Sequence, residues 1–125
     1  MRPQSPLSLE VDSEPEPDFA IIQINQPKLA RYHYRSAKLV VEVSKSSLRL
    51  DRRKASLYSS AKIPEYWIVN LRDHVLEVYR KPTRDRSEEF GWRYAENKKL
   101  KPGDTIVAFA APLPALSVAA MFPPR

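Results

Sequence analysis

Two apolar runs separated by one helical period dominate the middle of the chain. Between Leu39 and Asn70 the sequence reads LVVEVSKSSLRLDRRKASLYSSAKIPEYWIVN. In the run 38–44, Leu39, Val41 and Val43 alternate with Val40, Glu42 and Ser44. Apolar residues on both faces mark a strand covered on both sides. Residues 47–61 follow a helical period. At about 100° per residue, Leu50, Leu57, Tyr58 and Ala61 share one stripe with Lys54 in its middle, while Arg49, Arg52, Arg53, Ser56, Ser59 and Ser60 lie opposite. Ser44, Ser46 and Ser47 offer N-caps. Pro64 closes the pattern, and residues 65–70 (EYWIVN) form a second strand. Strand, helix and strand in this order predict one parallel crossover unit.

The flanks are built of shorter pieces. Residues 6–11 (PLSLEV) alternate as an edge strand would, and DSEPEPD after them is extended and exposed. Residues 19–24 (FAIIQI) predict a strand with Asp18 at its entrance, and 25–37 a loop. After the crossover, LRDH turns the chain into an antiparallel strand over 75–80 (VLEVYR), followed by a polar loop, KPTRDR. A strand over 90–94, a basic connection through Lys98, Lys99 and Lys101, and a Pro102-Gly103-Asp104 turn come next. A strand over 105–108 and a short helix over 116–122 end the chain. The fold class is α/β, a mixed sheet with few helices.

Composition narrows the class. The 125 residues are 42% hydrophobic and 29% charged, which predicts one globular domain with a core of its own. There is no cysteine, so thiol catalysis, disulfides and cysteine-ligated zinc are excluded. No apolar leader begins the chain, which predicts a cytoplasmic protein. Residues 105–124 carry no charge, about the length of a bilayer span. Pro112 and Pro114 interrupt them, so no membrane partner is expected.

The net charge of +6 is unevenly placed. Residues 1–18 hold Glu10, Asp12, Glu14, Glu16 and Asp18 against Arg2 alone, leaving twenty bases and ten acids in the remainder. A basic body predicts a polyanionic partner such as nucleic acid.

Candidate chemistry lies where charge occurs in apolar company. Glu42 stands inside a hydrophobic strand and Lys54 on an inward helical stripe. Antiparallel pairing of 19–24 with 38–44 would bring Asp18 beside Glu42 and Ser44. Two carboxylates and an ammonium at one end of the sheet suit a hard divalent metal and metal-assisted hydrolysis of a phosphodiester. A structural Glu42–Lys54 ion pair fits the same residues equally well on composition alone. Tyr58, Tyr66 and Trp67 are expected in the core. His33 and His74 lack metal-ligand spacing.

The ordered string EPEPD, VVEVSKSS and LDRRKASLYSSAKIPEYWIV resembles the Uma-type family of restriction endonucleases, placed in the PD-(D/E)XK nuclease superfamily. The resemblance runs from about Pro6 to the C-terminus. It implies a restriction-endonuclease-like mixed sheet around a β-α-β core and a metal-dependent DNA endonuclease using Mg2+ or Mn2+. Carried over by position, it implies Asp18, Glu42 and Lys54 as catalytic residues. Asp18, Glu42 and the backbone carbonyl of Val43 would be the metal ligands, with the lysine moved from strand to helix and Ser44 in its former place. Arg49, Arg52 and Arg53 flank this site as candidate nucleic-acid contacts.

The implied partner is DNA, with a homodimer as a further assembly. Members of the family carry a further N-terminal helix and strands, so the resemblance implies a single partial domain over 1–125, those elements missing, with residues 1–17 as an extended acidic segment. The alternative is a catalytically inactive remnant that binds nucleic acid or protein.

Overall fold

The computed structural model describes residues 37–123 and the backbone of Phe19–Ile22. The expectations for residues 1–17, Asp18, the loop before residue 37 and His33 lie outside the described residues.

The chain forms, in order, β1 (Phe19–Ile22), β2 (Ala37–Ser44), α1 (Leu48–Ser60), β3 (Glu65–Asn70), β4 (Val75–Arg84), β5 (Trp92–Leu100), β6 (Thr105–Ile106) and β7 (Leu116–Ser117). A 3-10 turn, Ala119–Met121, follows. Strands β1 to β5 make one sheet in sequence order. Only β2 and β3 are parallel, with Glu42 opposite Ile68 and Ser44 opposite Asn70. The other neighbours are antiparallel. The predicted crossover unit is therefore present, and EYWIVN forms β3 over its predicted length, buried at every position.

The sheet is covered on both faces. On the α1 face, Val40, Tyr66, Ile68, Tyr79 and Tyr94 pack with Leu48, Tyr58 and Ile63. On the opposite face, Leu39, Trp67, Val69, Leu76 and Val78 pack beneath Ile106, Ala108, Val118 and Phe122 of the C-terminal segment. Glu65 fastens that segment. Its carboxylate, fully buried, accepts the N–H groups of Phe109 (2.6 Å) and Ala110 (3.3 Å), the Trp67 indole (2.8 Å) and Arg80 Nε (3.0 Å). Four acceptances leave the buried charge well compensated.

Four tyrosines, Tyr58 of α1 and three from the sheet, form the layer between helix and sheet. Tyr66 lies 4.9 Å from Tyr58, 5.6 Å from Tyr79 and 6.4 Å from Tyr94, measured between ring centroids. Each hydroxyl donates to a fixed acceptor: Tyr58 to Glu42, Tyr66 to the Asp51 carbonyl, Tyr79 to Glu77 and Tyr94 to the Ile63 carbonyl. An aromatic body with a satisfied polar tip is how tyrosine enters a core. Tyr58, Tyr66 and Trp67 are thus core residues, as expected.

Several local expectations are corrected. The helical stripe is rotated by roughly one residue step, about 100°. Leu48, Asp51, Lys54, Ser56, Tyr58 and Ser59 are buried, while Leu50 and Leu57 are half-buried. Ser56 and Ser59 turn inward because their hydroxyls find backbone acceptors, the carbonyls of Trp92 and Ser56 respectively. KPTRDR does not begin a loop: β4 runs on to Arg84, pairing Pro82 with Tyr94 and Arg84 with Trp92. That arm is largely exposed, so it needs no apolar alternation. The strand expected over 90–94 begins instead at Trp92, and the basic connection is strand as well, Lys98 and Lys99 facing Val78 and Glu77. Lysines suit the outer position that β5 holds among the described strands. Leu116 and Ser117 pair with Ile106 and Thr105 instead of opening a helix. No helix among the described residues is long and apolar enough to cross a membrane.

Candidate active site

The parallel pair β2–β3 sends both carboxyl ends toward the start of α1, and the helix then runs back across the sheet. Glu42 is on the covered face of β2 because β-strand side chains alternate and Val40 shares its side. Lys54 is on the underside of α1, one helical repeat above Tyr58. The two side chains meet where helix and strand cross. Lys54 Nζ lies 2.9 Å from Glu42 Oε2, with both residues 3% exposed. Tyr58 donates its hydroxyl to the same Oε2 at 2.8 Å. Burial pushes the Glu42 carboxyl above its ordinary value, against the pull of the Lys54 ammonium and the Tyr58 hydroxyl.

A third charged group completes the cluster. Asp51 Oδ1 is 2.8 Å from Lys54 Nζ, and Asp51 Oδ2 accepts the Ser47 hydroxyl at 2.8 Å. Ser47 is the N-cap of α1, yet its side chain makes no capping bond to the helix backbone. It orients the aspartate instead. Asp51 was not singled out in the sequence, although its place three residues before Lys54 puts the two on one helical face. That spacing was the available signal.

Glu77 is the second carboxylate that the sequence did not expose. It shares the Glu42 row, since Ile68 pairs with Glu42 on one side and with Glu77 on the other. It is fully buried. Arg52 grips it with two bonds, 3.1 Å from Nε and 2.6 Å from Nη2, while Tyr79 and Asn70 donate at 2.7 and 3.3 Å. Burial works to raise this carboxyl, but those donors prevail and hold it below its ordinary value. The sequence around it, VLEVYR, alternates as a half-exposed strand would, so nothing in it marked Glu77 as buried.

The remaining candidates divide. Val43 pairs with Val69, its side chain turned to the opposite face from Glu42. Ser44 is 1% exposed and its hydroxyl has no hydrogen-bond partner. Arg49 is exposed on α1, and Arg53 is held by Glu89 at 3.2 and 3.0 Å. Asp18 lies outside the described residues, next to Phe19, which pairs with Val41.

All donors gathered here are oxygens, the set a hard divalent ion prefers. Among the described residues no three His, Asp or Glu side chains converge as a metal centre. With its charges present, the cluster carries Glu42 and Asp51 against Lys54, a net negative charge that an added cation would balance.

Residues 1–117 match the protein family described as Uma2, putative restriction endonuclease. No curated protein matches the chain.

Proposed function

The chain belongs to the Uma2 family of putative restriction endonucleases, and from that premise we propose that it is a DNA endonuclease that hydrolyses phosphodiester bonds with Mg2+ or Mn2+. The observation that carries this reading is the buried ammonium of Lys54, 2.9 Å from the strand glutamate Glu42. A buried lysine against a carboxylate costs desolvation, and an active site is one reason for a fold to keep it.

Glu42, the carbonyl of Val43 and Asp18 are the proposed metal ligands. The pairing of Phe19 with Val41 supports Asp18, because one further step of antiparallel register, if continued, would face Glu42. The unsatisfied hydroxyl of Ser44, on the Glu42 face of β2, supports a polar occupant at this end of the strand. When bound, the metal supplies a water of lowered pKa and stabilises charge on a phosphoryl oxygen.

The chain's own residues do the positioning. Tyr58 fixes the Glu42 carboxylate through Oε2. Asp51, itself oriented by Ser47, holds the Lys54 ammonium from the other side. Lys54, so held, offsets the negative charge that develops on the phosphate and orients the attacking water.

The test is cleavage of supercoiled plasmid with Mg2+ or Mn2+ by wild-type protein and by Glu42→Gln, whose shape preserves the Tyr58 contact. The expected loss is about 100-fold or more with an unchanged circular dichroism spectrum. Equal cleavage by the two proteins sinks the proposal.

A second reading draws on the closure of the same cluster. Lys54 is satisfied by two carboxylates and almost fully buried, which is also how a structural ion network looks. On that reading the protein is an inactive nucleic-acid-binding relative, and replacing the whole network, Glu42→Leu/Asp51→Asn/Lys54→Met, leaves it as stable as wild type or more so, with no cleavage to lose.

A further inference from the structure

The cations around the start of α1 fall into two sets according to what they touch. Arg52 commits its guanidinium to buried Glu77, and Arg53 commits its own to Glu89. Lys45 and Arg49 have no ion-pair partner among the described residues. Arg72 meets only its neighbour Asp73, at 3.5 Å, with the two side chains 68% and 48% exposed. Such a contact leaves a guanidinium essentially available.

These three available cations share one place. Lys45, Arg49 and Arg72 line an open cleft of about 440 Å3 with Ser46 and Leu48. An adjoining cleft of about 470 Å3 shares Leu48, Arg49 and Arg72 and adds Arg52, Arg53 and Glu88. Across both, the lining holds five cations and one carboxylate. The β2–α1 connection brings Lys45, α1 brings Arg49, and the β3–β4 turn brings Arg72. The turn is pinned beside the connection because the Leu71 N–H donates to the Ser44 carbonyl at 2.9 Å. The cleft thus lies outside the carboxyl ends of the parallel strands, where open α/β sheets bind ligands. The positive end of α1 adds to the field there. Its N-cap side chain, turned to Asp51, leaves it uncapped.

We infer that this cleft is a subsite for a backbone phosphate of a DNA strand, held by Lys45, Arg49 and Arg72, whereas Arg52 and Arg53 are tethers that hold α1 to Glu77 and Glu89. Three cations, two without an ion-pair partner among the described residues and Arg72 in one exposed contact only, suit a phosphate oxyanion. The polymer rather than a free anion is favoured by position. Arg49 and Lys54 stand five residues apart on one helix, about 7.5 Å along its axis, so the cleft adjoins the proposed site and a strand held there would carry its neighbouring phosphates past it. In naming DNA the inference rests on the nuclease reading above.

Binding without cleavage separates the two. Fluorescence anisotropy with a labelled duplex in EDTA, across a NaCl series, is measured for wild type, Arg49→Ala/Arg72→Ala and the charge-neutral pair Arg53→Ala/Glu89→Ala. Arg49→Ala/Arg72→Ala is expected to lose about tenfold or more in affinity and about 0.9 from the salt slope, the share of one phosphate contact. Arg53→Ala/Glu89→Ala is expected to stay within threefold of wild type. Both altered positions of the first variant are exposed, so its thermal melt should match wild type.

Equal losses in the two variants overturn the division between ligands and tethers. Wild-type binding of inorganic phosphate but not of DNA, abolished by Arg49→Ala/Arg72→Ala, overturns the polymer. Binding of neither overturns the subsite. DNA binding as expected, in a protein that cleaves nothing, removes the nuclease reading and leaves this subsite standing.

Discussion

Lys54→Met tests the central cluster most directly. The ammonium bridges Glu42 at 2.9 Å and Asp51 at 2.8 Å, and the three residues are between 2% and 3% exposed. Methionine occupies nearly the same volume, so a cavity contributes little. What is lost is the countercharge for two buried carboxylates, which keep the hydroxyls of Tyr58 and Ser47 among their donors. Removing one partner of a buried pair costs about 3–5 kcal/mol, and the loss of countercharge at two carboxylates puts this variant toward the upper end.

With a urea m-value of roughly 2 kcal/mol/M, the unfolding midpoint should fall by about 2 M at pH 7. The deficit should depend on pH. Burial already holds the Glu42 carboxyl above its ordinary 4.5, and loss of the ammonium raises it further. A group whose folded pKa exceeds its unfolded one takes up a proton on folding. Its penalty is therefore absent below about 4.5 and grows as pH rises through the folded value. Urea titrations at pH 4.5 and 7, followed by circular dichroism, read both effects. A midpoint within about 0.3 M of wild type at pH 7, or a deficit of the same size at both pH values, would refute the reasoning.

Two further outcomes follow from the other buried carboxylates. Glu77→Gln should be destabilised by about 1–3 kcal/mol at pH 7. Because the folded Glu77 carboxyl lies below 4.5, its contribution is complete above that value and is lost as pH falls through the folded one. The gap between wild type and Glu77→Gln in urea should therefore close in acid. Glu65→Ala removes the acceptor for the Phe109 and Ala110 amides and the counterion of Arg80. Hydrogen exchange at those two amides should accelerate while amides of β3 remain protected, and equal acceleration throughout the sheet would contradict a local clasp.

The sequence alone determined the crossover unit. EYWIVN has no polar residue between its ends, and a strand buried on both faces must read that way. Lys54 was legible for a similar reason, since periodicity places a residue on a helical face whatever its charge. The family was legible too, because the order of Glu42, Lys54, Tyr58 and Pro64 is a linear property of the chain.

Other features were decided only in three dimensions. Asp51 and Arg52 are neighbours in sequence, yet one turns inward to Lys54 and the other reaches Glu77, 25 residues away. Local pattern carries no record of that distant carboxylate. The stripe of α1 was displaced for the same reason: the tyrosine layer offers hydroxyls and close-packed rings beneath Asp51 and Tyr58, and serines with backbone acceptors can be buried at little cost. The polar strands of the β4–β5 arm escaped notice because cross-strand pairing, not burial, forms them. Whether a charge is solvated or held depends on which element arrives opposite it. For Glu77 and Glu65 that partner was supplied by the fold.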